Sequence, residues 1–230
     1  YAAGGGIGSK LLVCITLGTG IGMGIVKDGE IWNGVLGSAG ELGHIPVVQN
    51  GRACGCGKKG CLENYAAGKG LAMTANERMP QYENKLTAVD VFHMAQEGNK
   101  IAKQIIDEAI YLLGNAVISV INVLSPDRIL FSGGISLQKE LFVDPLIKYI
   151  TENSYTVSVG EGFGIGYAKL GEDAPMAGAA LLPQEKNKRQ VQLSASIMCA
   201  DIMNLKDDIR RLEQADIDFI HWDIMDGNFV

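Results

Sequence analysis

The sequence has no stretch apolar for long enough to cross a bilayer: its longest apolar run, near residues 112–124, is interrupted by Gly114 and Asn115. It also lacks a secretory leader, since the first ten residues are small and glycine-rich with no basic start followed by an apolar segment. Those two absences make the cytoplasm the expected compartment, with no membrane partner. An excess of positive charge is missing as well. Lys and Arg total 20 against 26 Asp and Glu, for a net charge of -6 and a pI of about 5.1. No overall field therefore draws the chain to nucleic acid or to an anionic surface. A starting Met is absent too: Tyr1 opens the chain beside small residues, and the sequence is expected to begin inside a larger gene product. What is there is globular in character. The 230 residues are 47% hydrophobic and 20% charged with a mean hydropathy of +0.12, enough for a sizeable core in one large domain or two small ones.

Cysteine is scarce and odd in number. There are five, and three of them fall within eight residues. Such clustering points to a metal rather than to disulfides. Gly43-His44, followed by Cys54-Gly55-Cys56-Gly57-Lys58-Lys59-Gly60-Cys61-Leu62-Glu63, puts one His and three Cys within eighteen residues. Four N/S donors suit a tetrahedral structural zinc, whereas a catalytic zinc keeps an open position. Thiolate plus imidazole favours Zn2+ over Mg2+ or Ca2+. Gly55, Gly57 and Gly60 are expected to take positive φ and turn the sulfurs inward. Three free thiols in a surface loop is the weaker reading, because free Cys is usually buried and rarely clustered. Cys14, in an apolar run, is expected in the core.

Residues 11–17 form a β-branched apolar run that ends in Gly18-Thr19-Gly20-Ile21-Gly22. A second run at 23–26, a turn at Lys27-Asp28-Gly29 and Glu30-Ile31-Trp32 complete a three-stranded meander. Helices are expected at 62–73, after Thr87 with Asp90 three residues on, and at 99–123, where apolar positions keep helical period. The last is a central packing helix, with a break or close contact at Gly114 and with Pro126 at its end. His93, between Phe92 and Met94, is expected to be a partly buried structural residue. A buried strand at 128–132 leads into Gly133-Gly134, then a helix at 139–153, a strand region at 157–166 and a helix at 174–182. The polar stretch 184–190, after Pro183, is the expected linker. Beyond it, a strand at 191–198, a helix at 204–215 with Asn204 as N-cap and a strand at 217–224 make a βαβ unit. A lone βαβ unit leaves the faces of its strands uncovered, so it is read as the start of something larger.

The Gly18–Gly20 turn could cradle a phosphate with backbone N–H groups. It is neither a P-loop, since no Gly-Lys-Ser/Thr follows, nor a dinucleotide fingerprint, since a strand comes next. Alone, it reads equally well as an ordinary glycine turn. Gly133-Gly134 could admit a flat base close to the backbone.

Taken together, residues 17–24, Gly34, Gly40-Glu41-Leu42-Gly43-His44 and Cys54-x-Cys56-x4-Cys61-x-Glu63 resemble the ROK family, which groups sugar kinases with sugar-responsive repressors. The resemblance covers about residues 1–183. It implies an α/β lobe of the actin-like ATPase (ribonuclease H-like) type, with a mixed sheet, helices on both faces and a zinc-binding loop. It implies that Glu41, His44 and Glu63 bind sugar hydroxyls, and that His44, Cys54, Cys56 and Cys61 hold structural zinc. Gly18, Thr19 and Gly20 would form a phosphate loop, with Gly133 and Gly134 by the adenosine. The cofactor would be ATP with Mg2+, the substrate a hexose such as glucose or allose, and the assembly a homodimer. The family's general base, an Asp after an Asn, and its first phosphate loop are expected upstream of residue 1. No catalytic residue of the kinase is therefore assigned here, and these 230 residues alone are expected to be inactive.

Residues 191–230 resemble a different family. Ser196-Ile197-Met198-Cys199-Ala200-Asp201, with His221-Trp222-Asp223 and the residues after it, is similar to the start of a pentulose-phosphate 3-epimerase of the allulose-6-phosphate branch. That implies a truncated TIM-barrel start, with Ser196 on substrate, His221 and Asp223 on a divalent metal, and Asp223 as acid/base. The barrel's other ligands are not in this sequence, so the metal site is expected to be incomplete. Three functional readings result: a hexose kinase; a sugar-sensing repressor, the one case in which nucleic acid is a partner; and a bifunctional kinase–epimerase fusion.

Overall fold

The computed structural model describes residues 4–83, 85–155, 162–170, 194–196, 205–214 and 219–221. Strand β1 (Leu11–Leu17) lies at the centre of a five-stranded sheet. Val13, Ile15 and Leu17 alternate onto one face and are fully buried, as period-2 alternation requires. β2 (Ile21–Lys27) turns back antiparallel with Leu17 opposite Ile21, and β3 (Glu30–Ile31) extends that edge. On the other side β4 (Arg128–Ser132) and β5 (Gly164–Tyr167) run parallel, with Ile15 opposite Phe131 and Thr16 opposite Ser132. The order β3-β2-β1-β4-β5, with one antiparallel partner on a parallel set, is the ribonuclease H-like mixed sheet.

The five helices that follow share one core with this sheet: α1 (Glu63–Ala66), α2 (Gly68–Arg78), α3 (Ala88–Gln96), α4 (Lys100–Leu124) and α5 (Asp144–Asn153). Leu12 and Leu130 are buried on the opposite face. Although Gly114 and Asn115 interrupt its apolar run, helix α4 as a whole has the length and composition to cross a membrane, contrary to the expectation from that run; eleven of its residues are buried in this core. Asn99 caps its start, accepting from the N–H groups of Ile101 and Ala102 at 2.9 and 3.1 Å. Ser125 ends it in the left-handed region, one residue before Pro126. Gly114 is the expected close contact, its Cα packed beneath the Tyr149 ring of α5.

Four expectations need correction. The helix at 62–73 is two helices, broken where Ala67 is extended with ψ 171. Residues 139–153 begin as a π-type turn, Lys139–Val143, before α5. Pro145 has no N–H to continue an upstream ladder, so the helix starts afresh there. His93 is exposed, because α3 buries Val91, Phe92 and Ala95 on its other side. Cys14 is only half-buried, on the face of β1 opposite Val13 and Ile15.

The chain divides into compact units at 1–180 and 181–230. In the second, β6 (Ser194–Ser196) and β7 (Phe219–His221) pair in parallel, and α6 (Leu205–Gln214) lies between them in sequence. The expected helix at 174–182, the linker at 184–190 and the Asn204 cap lie outside the described residues.

Candidate functional site

Residues 52–61 fold into a small hairpin, closed by bridges between Pro46 and Cys61 and between Ala53 and Lys59. Cys54 donates its N–H to the Lys58 carbonyl at 2.8 Å, and Gly60 donates to that of Arg52 at 2.8 Å. Gly57 and Gly60 take positive φ, and a side chain at Gly60 would collide with the Val48 carbonyl. Gly55, expected to do the same, does not.

This turn brings His44, Cys54, Cys56 and Cys61 together, their ligand atoms all within 4.8 Å of one another. Cys54 Sγ lies 3.6 Å from His44 Nδ1, and Cys56 Sγ 3.6 Å from Cys61 Sγ. Sulfurs about 2.3 Å from a tetrahedral ion sit about 3.8 Å apart, whereas a disulfide needs about 2.05 Å. The spacing fits a shared cation and excludes a bond between them. Cys61 is fully buried, and burial first, then the crowding by Cys56 and Cys54, pushes its thiol up to about 12. Exposed Cys56 is lowered, chiefly by the backbone of Lys58. Crowded thiols of this kind ionise together only when a cation offsets their charge.

Two further predicted residues, Glu41 and Glu63, converge on the cluster. A 3-10 turn at Leu42–His44, anchored by buried Leu42, sets Glu41 and His44 side by side. His44 Nδ1 faces the cluster and Glu63 Oε1 at 3.6 Å, while Nε2 lies 3.8 Å from Glu41 Oε2. Glu63 opens α1 and accepts from Cys54 Sγ at 3.3 Å. Its side chain remains 26% exposed and that of Glu41 66%, so both carboxylates can reach a ligand.

The glycine elements meet at the C-terminal edge of the parallel strands, where open α/β sheets place their ligands. Gly18 follows β1, and Gly133 follows the register-matched β4 with φ +87, its Cα so near the Leu17 carbonyl that a Cβ would lie 2.6 Å away. Gly134 opens the next turn. Gly18 and Thr19 are pinned to the start of α2, their carbonyls accepting from Gly68 and Lys69 at 2.8 and 3.2 Å. A Cβ on Gly20 would stand 3.1 Å from Glu63 Oε2. Glu63 therefore has one oxygen beside the Cys/His cluster and the other beside the Gly18–Gly20 loop.

Arg52, Asn64 and Tyr65 escaped the sequence reading. Arg52 finds Asn64 and Glu77 at separations of 12 and 25 residues, so no short-range pattern marks it. In the second unit Ser196 and His221 are register partners at the ends of β6 and β7. Asp223 lies outside the described residues.

The chain matches the ROK family over residues 2–186 and belongs to it. Residues 192–230 match the ribulose-phosphate 3 epimerase family. A glucokinase of Halalkalibacterium halodurans is 38% identical over 200 residues, covering 81% of this chain and 60% of that protein. The solved ROK family glucokinase from Streptomyces griseus, in complex with glucose and AMPPNP, superposes with a TM-score of 0.68 at 29% identity, over 79% of this chain and 62% of that one. A solved ROK family transcriptional regulator, a homologue of the E. coli MLC protein, gives 0.67 at 29% identity, over 80% and 48%. The fold is thus the actin-like lobe of the ROK kinases. The chain spans about three fifths of the length of the curated relatives it matches.

Proposed function

We propose that the protein carrying this chain transfers the γ-phosphoryl group of ATP to a hexose, glucose or allose, and that this chain supplies the sugar-binding face and one side of the nucleotide cleft. The observation that carries the reading is Glu63, whose carboxylate spans the short distance between the Cys/His cluster and the glycine loop. Glu41 and Glu63 accept hydrogen bonds from sugar hydroxyls, and His44 adds Nε2. The Gly18–Gly20 loop takes the phosphates through the backbone N–H groups of Thr19 and Gly20, the Gly18 N–H closing the loop on the Gly20 carbonyl at 3.1 Å, with Gly133 and Gly134 beside the adenosine. Phosphoryl transfer is governed by positioning and charge neutralisation, which rigid donors of this kind provide. Zn2+ held by His44, Cys54, Cys56 and Cys61 would be structural, and Mg2+ would accompany ATP. The imidazole, fixed through Nδ1, presents its other nitrogen to the sugar. The test is ATP-dependent phosphorylation by the complete protein across glucose, allose, mannose and N-acetylmannosamine. Preference for glucose or allose supports the reading; equal rates on all four, or none on any, removes it.

A second reading is favoured by the likeness to the MLC-homologous regulator. As a repressor, the protein would use the same pocket to sense sugar. An upstream helix-turn-helix, together with sugar-dependent release of operator DNA, would replace the kinase reading.

The second unit supports a further proposal: a division into residues 1–183, a linker at 184–190 and an epimerase segment at 191–230. Ser196 would meet a phosphorylated pentulose or hexulose, and His221 and Asp223 a divalent metal. A transcript continuing past Val230 into the remaining metal His and Asp would establish the fusion. Homodimerisation is also proposed. The exposed side chains of Val35 and Leu36, and an apolar groove lined by Trp32, Ile45 and Val123, support it, and sedimentation velocity tests it.

A further inference from the structure

The break between α1 and α2 frees the Gly68 and Lys69 N–H groups and the Asn64 carbonyl, and two different functional loops take them. In an unbroken helix the Gly68 N–H would donate to the Asn64 carbonyl. Here Gly68 donates to Gly18 at 2.8 Å and Lys69 to Thr19 at 3.2 Å, both in the glycine loop. The Asn64 carbonyl accepts instead from Arg52 Nη1 at 2.6 Å, reaching in from the Cys/His loop two residues before Cys54. The same guanidinium donates to Thr74 Oγ1 at 3.0 Å and grips the Glu77 carboxylate with both Nε (3.0 Å) and Nη2. Its carbon stands 4.7 Å over the Tyr65 ring, and the Tyr65 hydroxyl accepts from the Arg52 N–H at 2.7 Å. Asn64 Nδ2 returns a bond to the Ala53 carbonyl at 3.0 Å. The Arg52 side chain is only 15% exposed. Glu63, one residue before Asn64, thus sits in a segment held from the metal loop on one side and from the glycine loop on the other.

We infer that Arg52 is a positioning residue. It fixes the α1–α2 junction, and with it Glu63, between the two loops, and so links the order of the Cys/His loop to that of the Gly18–Gly20 loop. The planar fork grips the carboxylate with two nitrogens while its third serves a carbonyl and a hydroxyl, four bonds against an ammonium's three N–H groups on one nitrogen, so a point charge cannot replace it. The sugar arm of this inference rests on the proposed kinase reading; the junction itself does not.

The experiment compares wild type, Arg52→Lys, Arg52→Met and Glu77→Gln in the complete protein. It reads bound zinc, amide deuterium exchange over residues 64–70, and steady-state kinetics for hexose and ATP. The expected result is retained zinc and about tenfold faster exchange at Gly68 and Lys69 in both Arg52 variants, with a smaller effect for Glu77→Gln. Hexose KM rises about tenfold with kcat changed less than about threefold, the pattern of lost uniform binding. Arg52→Lys does not rescue. If Arg52→Met fails to fold, Glu77→Gln, which lies on α2 and leaves the guanidinium one neutral oxygen in place of a carboxylate, makes the same comparison. Unchanged exchange at Gly68 and Lys69 in zinc-loaded variants overturns the inference. So does full rescue by Lys, or a lowered melting temperature with no KM change. A wild type inactive on every sugar whose variants still show faster exchange supports the junction and overturns only the kinase reading.

Discussion

Glu63 has one carboxylate oxygen beside the Cys/His cluster and the other beside the Gly18–Gly20 loop, and the proposed role of that placement is measurable. Glu63→Gln preserves shape and removes charge, so it should weaken hexose binding by about 1.5–3 kcal/mol, roughly ten- to a hundredfold, as expected when a charge-assisted hydrogen bond is lost. Bound metal should stay unchanged, since Glu63 is not one of the four clustered donors. Calorimetric titration with glucose or allose, beside metal analysis, checks both halves. Cys61→Ser should do the reverse and abolish metal binding, because Cys61 is the most buried of the three cysteines and one of only four clustered donors among the described residues. Cys14→Ser, on β1, should leave metal content untouched. At this scale the sequence was legible wherever the residue type was rare. Three clustered Cys and one nearby His could be found by spacing alone, whereas Glu41 and Glu63 entered only through the family resemblance. Arg52 could not, because arginine is common and its partners are assembled only by the fold.

Among the elements, those written in local chemistry were also legible. Thr87 and Asp90 form the reciprocal capping box of α3: the Thr87 hydroxyl accepts from the Asp90 N–H at 3.3 Å, and the Asp90 carboxylate accepts from the Thr87 N–H at 2.7 Å. Thr87→Ala should cost about 1 kcal/mol, measured by urea unfolding. The Thr87 hydroxyl, then its backbone N–H, hold the Asp90 carboxyl below its ordinary value. A depressed acid stabilises the folded state fully above its unfolded pKa of about 4, and that contribution is lost as pH falls through the lower folded value. The acid-side slope of stability should therefore flatten in Thr87→Ala as the pH falls below about 4. Gly114 tests packing between elements. Ala there improves helix propensity by about 1 kcal/mol, yet its methyl would enter the Tyr149 ring, and overpacking of this kind costs about 1–3 kcal/mol. The net expectation is a lower urea midpoint. What stayed hidden was the break at Ala67, because its cause is a hydrogen bond from Gly68 to a glycine loop fifty residues earlier. The apolar pattern of residues 62–73 carries no trace of that partner.

For the whole molecule the decisive relation is between the lobe and the loop clipped onto it. The mixed sheet and its helices close their core with Val13, Ile15, Leu17, Leu113, Val117, Ile129 and Phe131, all fully buried and none of them in the Cys/His hairpin. That hairpin has no such core of its own. Cys54 and Cys61 are its buried side chains, while Gly55–Gly60 are mostly exposed, and Leu62 just beyond it belongs to the core of the lobe. The sheet order could be anticipated only through the family resemblance, since parallel pairing of β1 with β4 spans more than a hundred residues of chain. The separation of core and clip sets the outcome of removing the metal. Chelation should leave the helical circular dichroism signal of the complete protein nearly unchanged, because the lobe does not rely on the ion to bury its apolar surface. Hexose affinity should fall by about tenfold or more, because His44 and Glu63 then lose the frame that aims them. Added zinc should restore it. Collapse of the helical signal on chelation would show instead that the ion is part of the folding free energy of the lobe, as in small metal-dependent domains.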